Sequence, residues 1–211
     1  MGMTSGTEKA VESQRRIVDA ARHEVECKGI LGLRVQDVAR NAGVSVPLIY
    51  KYFGDRDGLL AEVLSQMFVD CSVRNLERAS LNTSTNAGTA SLDTLLVSLI
   101  PSRGENVAKE RALAVQMLAA SAEIPALAER LAETQKNVHS RVHALLSDAF
   151  ASHGMDDSAT IAALALLLQS ASLGLIYNDL LGDDAVSEDA LSGLIRVLVN
   201  AIAEGHTTKA S

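Results

Sequence analysis

The stretch Val35–Phe53, VQDVARNAGVSVPLIYKYF, limits the possible folds more tightly than any other part of the chain. Val35, Val38, Ala39 and Ala42 recur at three- and four-residue steps, the spacing that gathers side chains on one face of an α-helix. Gly43 follows at once, a residue type that closes a helix and turns the chain through positive φ. Ser45 is a favoured N-cap, and Pro47 falls in the first turn of a second helix, where a missing amide sacrifices no hydrogen bond. The spacing thus predicts a helix over 35–42, a turn of about three residues and a short helix over 46–53, which is the layout of a helix-turn-helix. Val38 and Ala39 would let the two helices approach closely, and Val44 and Ile49 would pin their crossing.

In such a pair the second helix enters the DNA major groove by its N-terminal residues. Ser45, Val46, Pro47 and Leu48 hold those positions. They are small or apolar, suited to thymine methyls, while the Ser45 hydroxyl and the exposed amides suit a phosphate. Arg34 and Gln36, at the start of the preceding helix, are the polar side chains best placed for base edges. The aromatic residues have a matching distribution. Six occur in the whole chain, and Tyr50, Tyr52 and Phe53 fall together here. Either tyrosine hydroxyl could bond a backbone phosphate, which positions a protein without reading sequence. Phe53 is expected to pack inward, and Lys51 and Arg56 add charge to the same rim.

A net charge of −7 looks unfavourable for a DNA partner, but it is unevenly distributed. Residues 1–60 carry nine Lys or Arg against eight Asp or Glu, so the acidity belongs to the remaining two-thirds. Alanine and leucine dominate and β-branched runs are short, which points to an all-α chain. Further helices are expected over Glu8–Lys28, stopped by Gly29; from Asp55, as N-cap, to Ala79; and over Leu92–Ile100, Glu105–Ser121, Pro125–Ser152, Ser158–Leu181 and Glu188–Glu204, about nine in all. Gly58, in the first turn of the fourth helix, is expected to weaken it by about 1 kcal/mol relative to alanine. Ser80–Ser91 reads as the clearest loop. The last two helices are apolar on more than one face: Ile161, Leu164, Leu168, Ala171 and Leu175 form one stripe, and Leu191, Leu194, Ile195, Leu198 and Ile202 another, with Val197 and Val199 outside it. A helix apolar on two faces must bury both, and a second subunit is one way to do so.

The polar N-terminus does not resemble a secretory signal, and the apolar run Ile161–Leu168 is too short to span a bilayer. Cys27 and Cys71 are far apart without metal-ligand spacing, which suits a reducing compartment. These features favour a cytoplasmic location without membrane attachment.

LRVQDVARNAGVSVPLIYKYFGDRDGLL, Leu33–Leu60, resembles the DNA-binding signature of the TetR family of transcriptional repressors. Val38-Ala39, Ala42-Gly43-Val44-Ser45, Ile49-Tyr50 and Tyr52-Phe53 follow that signature in order and spacing, as do Asp55, Arg56 and Leu59. IVDAARHEVECKG is similar to the family's first helix, with Val25 where phenylalanine is usual. Arg34 replaces the common Thr or Ser cap, and Pro47 stands where many members have glycine. The close likeness covers residues 15–65. It implies a three-helix DNA-binding head over 1–55 and a helical sensor and dimerisation domain over 56–211. It also implies a homodimer through helices near 158–181 and 188–204, and a double-stranded operator released when a small-molecule effector binds.

Polar residues inside apolar stripes mark candidate effector contacts. Gln116 lies with Leu113, Met117 and Ala120, and Gln169 interrupts Ala162, Ala165, Leu166 and Leu173, with Met117 an adaptable lining residue. With few aromatic residues in this region, a flexible and largely apolar effector fits best. Boundary or interface glutamines are the alternative. His139 and His143 stand four apart, a spacing that can chelate zinc, but no third ligand accompanies them. No phosphate-binding glycine loop, nucleophile elbow or metalloprotease signature occurs, so neither an enzyme nor a cofactor is expected. Two other readings stay open: the same fold with a second domain that binds a protein or only dimerises, and a helical metal enzyme built on the two histidines.

Overall fold

The computed structural model describes residues 4–84, 105–151 and 157–207, and these are helical throughout apart from turns. The helices are α1 (Thr4–Gly32), α2 (Val35–Ala42), α3 (Val46–Phe53), α4 (Arg56–Ser84), α5 (Glu105–Ser121), α6 (Pro125–Ala151), α7 (Ser158–Asp179) and α8 (Glu188–Thr207), with a 3₁₀ turn at Gly182–Asp184. The helix expected over Leu92–Ile100 lies outside the described residues. Helices α2 and α3 have the expected bounds. Gly29 interrupts α1 with φ 74° and ψ 172°, and the helical run resumes to Gly32. Helix α4 runs on to Ser84, into the segment expected to be loop.

The chain forms two compact units, Met1–Asp70 with Leu113–Thr134, and Cys71–Ala112 with Gln135–Ser211. The core of the first joins Ile17, Ala21 and Val25 of α1, Val38 and Ala42 of α2, Ile49 of α3 and Leu59, Leu60 and Leu64 of α4. Leu127 and Leu131 of α6 complete it. Removing a fully buried side chain of this kind costs about 2–5 kcal/mol.

In the second unit, Val142, Leu146 and Phe150 of α6 pack with Ile161, Leu164, Ala165 and Leu168 of α7 and Ile195 and Val199 of α8. Of the stripe expected on α7, Ile161, Leu164 and Leu168 are buried, while Ala171 and Leu175 are half-buried. That of α8 is rotated: Val199 is in the core, while Leu194 and Leu198 face out together with Val197. Ile195 and Val199 are one turn apart and Leu191 and Ile202 flank them, so the inward face is set by these four. Outward apolar residues also occur on α7, at Leu166 and Leu167. By composition α7 is long and apolar enough to cross a bilayer, with a mean hydropathy of 1.9. The run Ile161–Leu168 falls short of that length, but the helix that contains it does not. Its inward side chains instead belong to a protein core.

Candidate nucleic-acid interface

The turn between α2 and α3 is built by Gly43, at φ 64° and ψ 40°. Its amide and that of Val44 donate to Arg40 and Ala39 carbonyls at 3.2 and 3.0 Å, closing α2 in the way only a left-handed residue allows. An added Cβ at Gly43 would lie 3.7 Å from Arg16 Nη1, which places the Arg16 side chain of α1 beside the turn. Sequence spacing gave no signal for Arg16, because its proximity is tertiary.

Ser45 then takes an extended conformation, and its carbonyl accepts from the amides of Leu48 and Ile49 at 3.0 and 3.4 Å. The Ser45 hydroxyl makes no capping bond, contrary to expectation. Pro47 supplies the pre-set φ of the first turn instead.

Helix α3 is anchored by one fully buried residue, Ile49, with Val46, Tyr52 and Phe53 half-buried against the same core. Val44 packs there too, so the crossing is pinned as the spacing implied. The two tyrosines, expected to share one role, are separated by helical rotation. Tyr50 is 43% exposed, whereas Tyr52 leans inward and meets Phe53 edge-on at 6.4 Å. The outward surface is therefore Ser45, Pro47, Tyr50 and Lys51, with Leu48 at its margin. Arg34 and Gln36 of α2 are exposed as well.

Helix α2 is held to α1 by a charged network beneath that surface. Lys28 Nζ lies 2.6 Å from Glu24 Oε2 and 3.1 Å from Asp37 Oδ2, and Asn41 Nδ2 donates to Glu24 Oε1 at 2.9 Å. Glu24 is buried, so a paired cation is what permits its charge. The Glu24 carboxylate and then that of Asp37, as acceptors, raise the Lys28 ammonium above its usual range, and the bond from Lys28 holds the Asp37 carboxyl below its own. Although Arg34 lacks a capping side chain, α2 starts where expected: Arg34 O accepts from Asp37 and Val38 amides at 3.0 and 3.1 Å.

Arg56, expected on the phosphate rim, instead turns back onto the α1–α2 connection. Its Nε and Nη2 donate to the Leu33 and Ile30 carbonyls at 3.4 and 3.3 Å, satisfying backbone acceptors left by the end of α1. Arg56→Ala should lower the stability of the full chain by about 1 kcal/mol, read as a shift in the urea midpoint, because these bonds are long and half-exposed. An unchanged midpoint would exclude this bracing. The start of α4 is capped as expected, with the Gly58 amide donating to Asp55 Oδ1 at 2.8 Å.

The candidate effector residues do not gather. Gln116 is exposed, beside the Gly29 kink, and Met117 is buried in the core of the first unit. Gln169 belongs to the second unit, where its Nε2 donates to Ala165 O at 3.0 Å and lies 3.2 Å from His139 Nδ1. His143 meets Ser158 and Ser147. An open cleft of about 350 Å³ in the first unit is lined by the charged side chains of Arg22, Glu62, Asp70, Arg130 and Glu133 together with Ser65 and Val69. Burial would raise the Glu62 carboxyl there, but hydrogen bonds from Arg130 and Gln66 hold it below its usual range.

Residues 17–63 match the family described as bacterial regulatory proteins, tetR family. The HTH-type transcriptional regulator BetI of Agrobacterium fabrum is 37% identical over 70 residues, or 32% of this chain and 34% of that protein. The matched stretches span 28% to 34% of the curated relatives' own lengths. A crystal structure from Rhodococcus sp., assigned to the TetR-family transcriptional regulators, is 27% identical with a TM-score of 0.59, over 89% of this chain and 98% of that one. The multidrug binding protein EbrR, complexed with imidazole, is 25% identical with a TM-score of 0.57, over 88% of this chain and 93% of that one.

Proposed function

The chain belongs to the TetR family of bacterial regulatory proteins, and from that premise we propose that it is a ligand-responsive repressor that binds a near-palindromic operator as a homodimer. The observation that carries this reading is the outward surface of α3, where Ser45, Pro47, Tyr50 and Lys51 stand clear of the core on a rod fixed from behind by Ile49. Residues 1–55 are the reading head and 56–211 the sensing and dimerising region. Val46 and Leu48 flank the surface that enters the groove, and Arg34 and Gln36 approach from α2. Arg16 adds a positive charge beside the turn. Tyr52 and Arg56 support the head from within, a change from the phosphate role first expected of them. The protein works in the cytoplasm on double-stranded DNA.

Two such heads about one helical turn of DNA apart, ~34–36 Å, read two half-sites. The outward apolar residues of α7 and α8 supply the dimer contact. Leu194 and Val197 are 66% and 67% exposed, a large apolar area for a free surface. Leu194→Glu with Val197→Glu should convert the protein to monomer by analytical ultracentrifugation and weaken operator binding by about 100-fold or more, because linked heads gain an effective concentration that single heads lack. A dimer of unchanged affinity would exclude this interface.

Release requires an effector that prefers the non-binding state. Shifting from 1:99 to 99:1 takes a difference of about 5.5 kcal/mol. Gln169 is the best placed of the three proposed contacts, since it already joins α7 to α6 through Gln135 and His139. The deciding experiment is selection of bound DNA from a random pool, repeated with small molecules present. Enrichment of a two-fold symmetric site that is lost on adding a ligand is the expected result. No enrichment of any sequence would refute the reading.

A further inference from the structure

Helix α1 begins well before the core it serves. Ile17 is its first buried residue, and the side chains from Thr7 to Arg16 are exposed or half-buried and belong to neither hydrophobic core. The charges on this stretch are sorted by face. Glu12 is taken up by Arg15, whose Nε and Nη2 donate to its carboxylate at 3.1 and 3.0 Å. Arg16 turns the other way, with its Nη1 beside Gly43 in the turn between α2 and α3. Lys9 precedes Arg16 by about two helical turns, so the two cations share one face of α1, roughly 10 Å apart along its axis. Ser13, between them, folds its hydroxyl back onto the Lys9 carbonyl at 2.8 Å. Both cations are exposed, and among the described residues neither side chain makes a hydrogen bond or salt bridge. Glu12 feels Arg16 only through space.

We propose that this first part of α1 is a second DNA-contacting element, in which Lys9 and Arg16 hold phosphates beside the groove that α3 enters. The inference rests on the DNA-binding reading above and extends it beyond the helix-turn-helix. The turn at Gly43 leads directly to Ser45, where the surface assigned to the groove begins, and the walls of a groove are phosphate strands. Helix α1 packs on both α2 and α3, so the base of the exposed stretch is fixed relative to that surface. Arg16 therefore stands at the rim, and the helix carries the Lys9 ammonium farther along it, to phosphates that flank the half-site. Exposed cations of this kind neutralise phosphates and add affinity without reading sequence. A protein partner is disfavoured, because Val11 is the one large apolar side chain that the described stretch exposes. Glu8 and Glu12 on the adjoining face confine the attraction for an anion to the face of Lys9 and Arg16.

The test uses the full chain and the selected operator, once within long flanks and once trimmed to its half-sites. Lys9→Gln removes one exposed charge per head, so folding is not at issue. On the long duplex it should lower the slope of log affinity against log salt by about 2 for two bound heads. Lys9→Gln with Arg16→Gln should lower it by about 3–4, and Lys9→Arg should keep the wild-type slope. The loss from Lys9→Gln should be the same for A·T-rich and G·C-rich flanks and should vanish on the trimmed operator. Hydroxyl-radical footprinting should show the flanks protected by the wild-type chain and exposed with Lys9→Gln. An unchanged slope, flanks that the wild-type chain leaves unprotected, a loss that depends on flank sequence, or one that persists on the trimmed operator would overturn the inference. Each of these would leave the DNA-binding reading standing. A wild-type chain that binds no duplex at all would sink both.

Discussion

Gly58→Ala is expected to destabilise the protein by about 1–3 kcal/mol, although alanine is the better helix former by about 1 kcal/mol. A Cβ at position 58 would lie 2.0 Å from the Phe53 carbonyl oxygen, far inside any tolerated contact. The obstacle is backbone, so no side-chain rotation can relieve it. Relief requires α4 to move away from the end of α3, and that end is where Phe53 and Tyr52 pack on the core. The same displacement would disturb the hydrogen bond from the Gly58 amide to Asp55, which caps α4. A urea titration of the full chain should show a lower midpoint for the variant, and operator affinity should fall with it because α3 is displaced. A raised midpoint would mean that helix propensity outweighs the clash and that α3 and α4 are less closely coupled than the geometry requires.

The second large effect concerns the division of labour on the surface proposed to face DNA. Tyr50→Phe removes one exposed hydroxyl and leaves the ring, so it should weaken binding to all DNA sequences by a similar factor. Lys51→Ala should act in the same uniform way and reduce the salt dependence of log affinity by about one unit per head. Gln36→Ala should instead relax preference at particular base pairs, where a lost base contact is worth about 1–3 kcal/mol per half-site. The two classes separate when each variant is titrated with the selected operator, single-base variants of it and unrelated duplex DNA. Uniform losses from all three substitutions would refute the assignment of Gln36 to base reading. Tyr52→Phe offers an internal contrast: with its ring turned toward Phe53 and the core, it should change DNA affinity less than Tyr50→Phe.

The head was legible from its residues because its determinants are local. The bounds of α2 and α3 follow from Val35, Val38, Ala39 and Ala42 at helical spacing, from Gly43 as the stop and from Pro47 in the next first turn. Each of these acts within a few residues of its own position. The two-faced apolar character of α7 and α8 was equally readable, since surplus hydrophobic residues show in the sequence whatever covers them. Which face turns inward was not readable. Val199 rather than Leu194 and Leu198 fills the core, because the choice depends on what α6 and α7 present to α8. The trio Gln116, Met117 and Gln169 shows the same limit, since similar polar interruptions of apolar stripes landed in a solvent-facing position, a core and a hydrogen-bonded pair of helices.

By itself the amino-acid sequence determined that this chain is all-α, that residues 35–53 form two short helices about a glycine turn, and that its last helices have more than one apolar face. Periodicity, glycine stops and a proline in a first turn are properties of neighbouring residues and need no partner. Only the tertiary structure decided that Tyr50 faces out while Tyr52 faces in, that the Phe53 carbonyl oxygen closes the space beside Gly58, and that Arg56 bonds the connection between α1 and α2. Arg56 meets carbonyls 23 and 26 residues away, and Arg111 meets a carboxylate 68 residues away. A side chain's charge is written in the sequence, but its solvation and its partners are set by whatever the fold brings beside it.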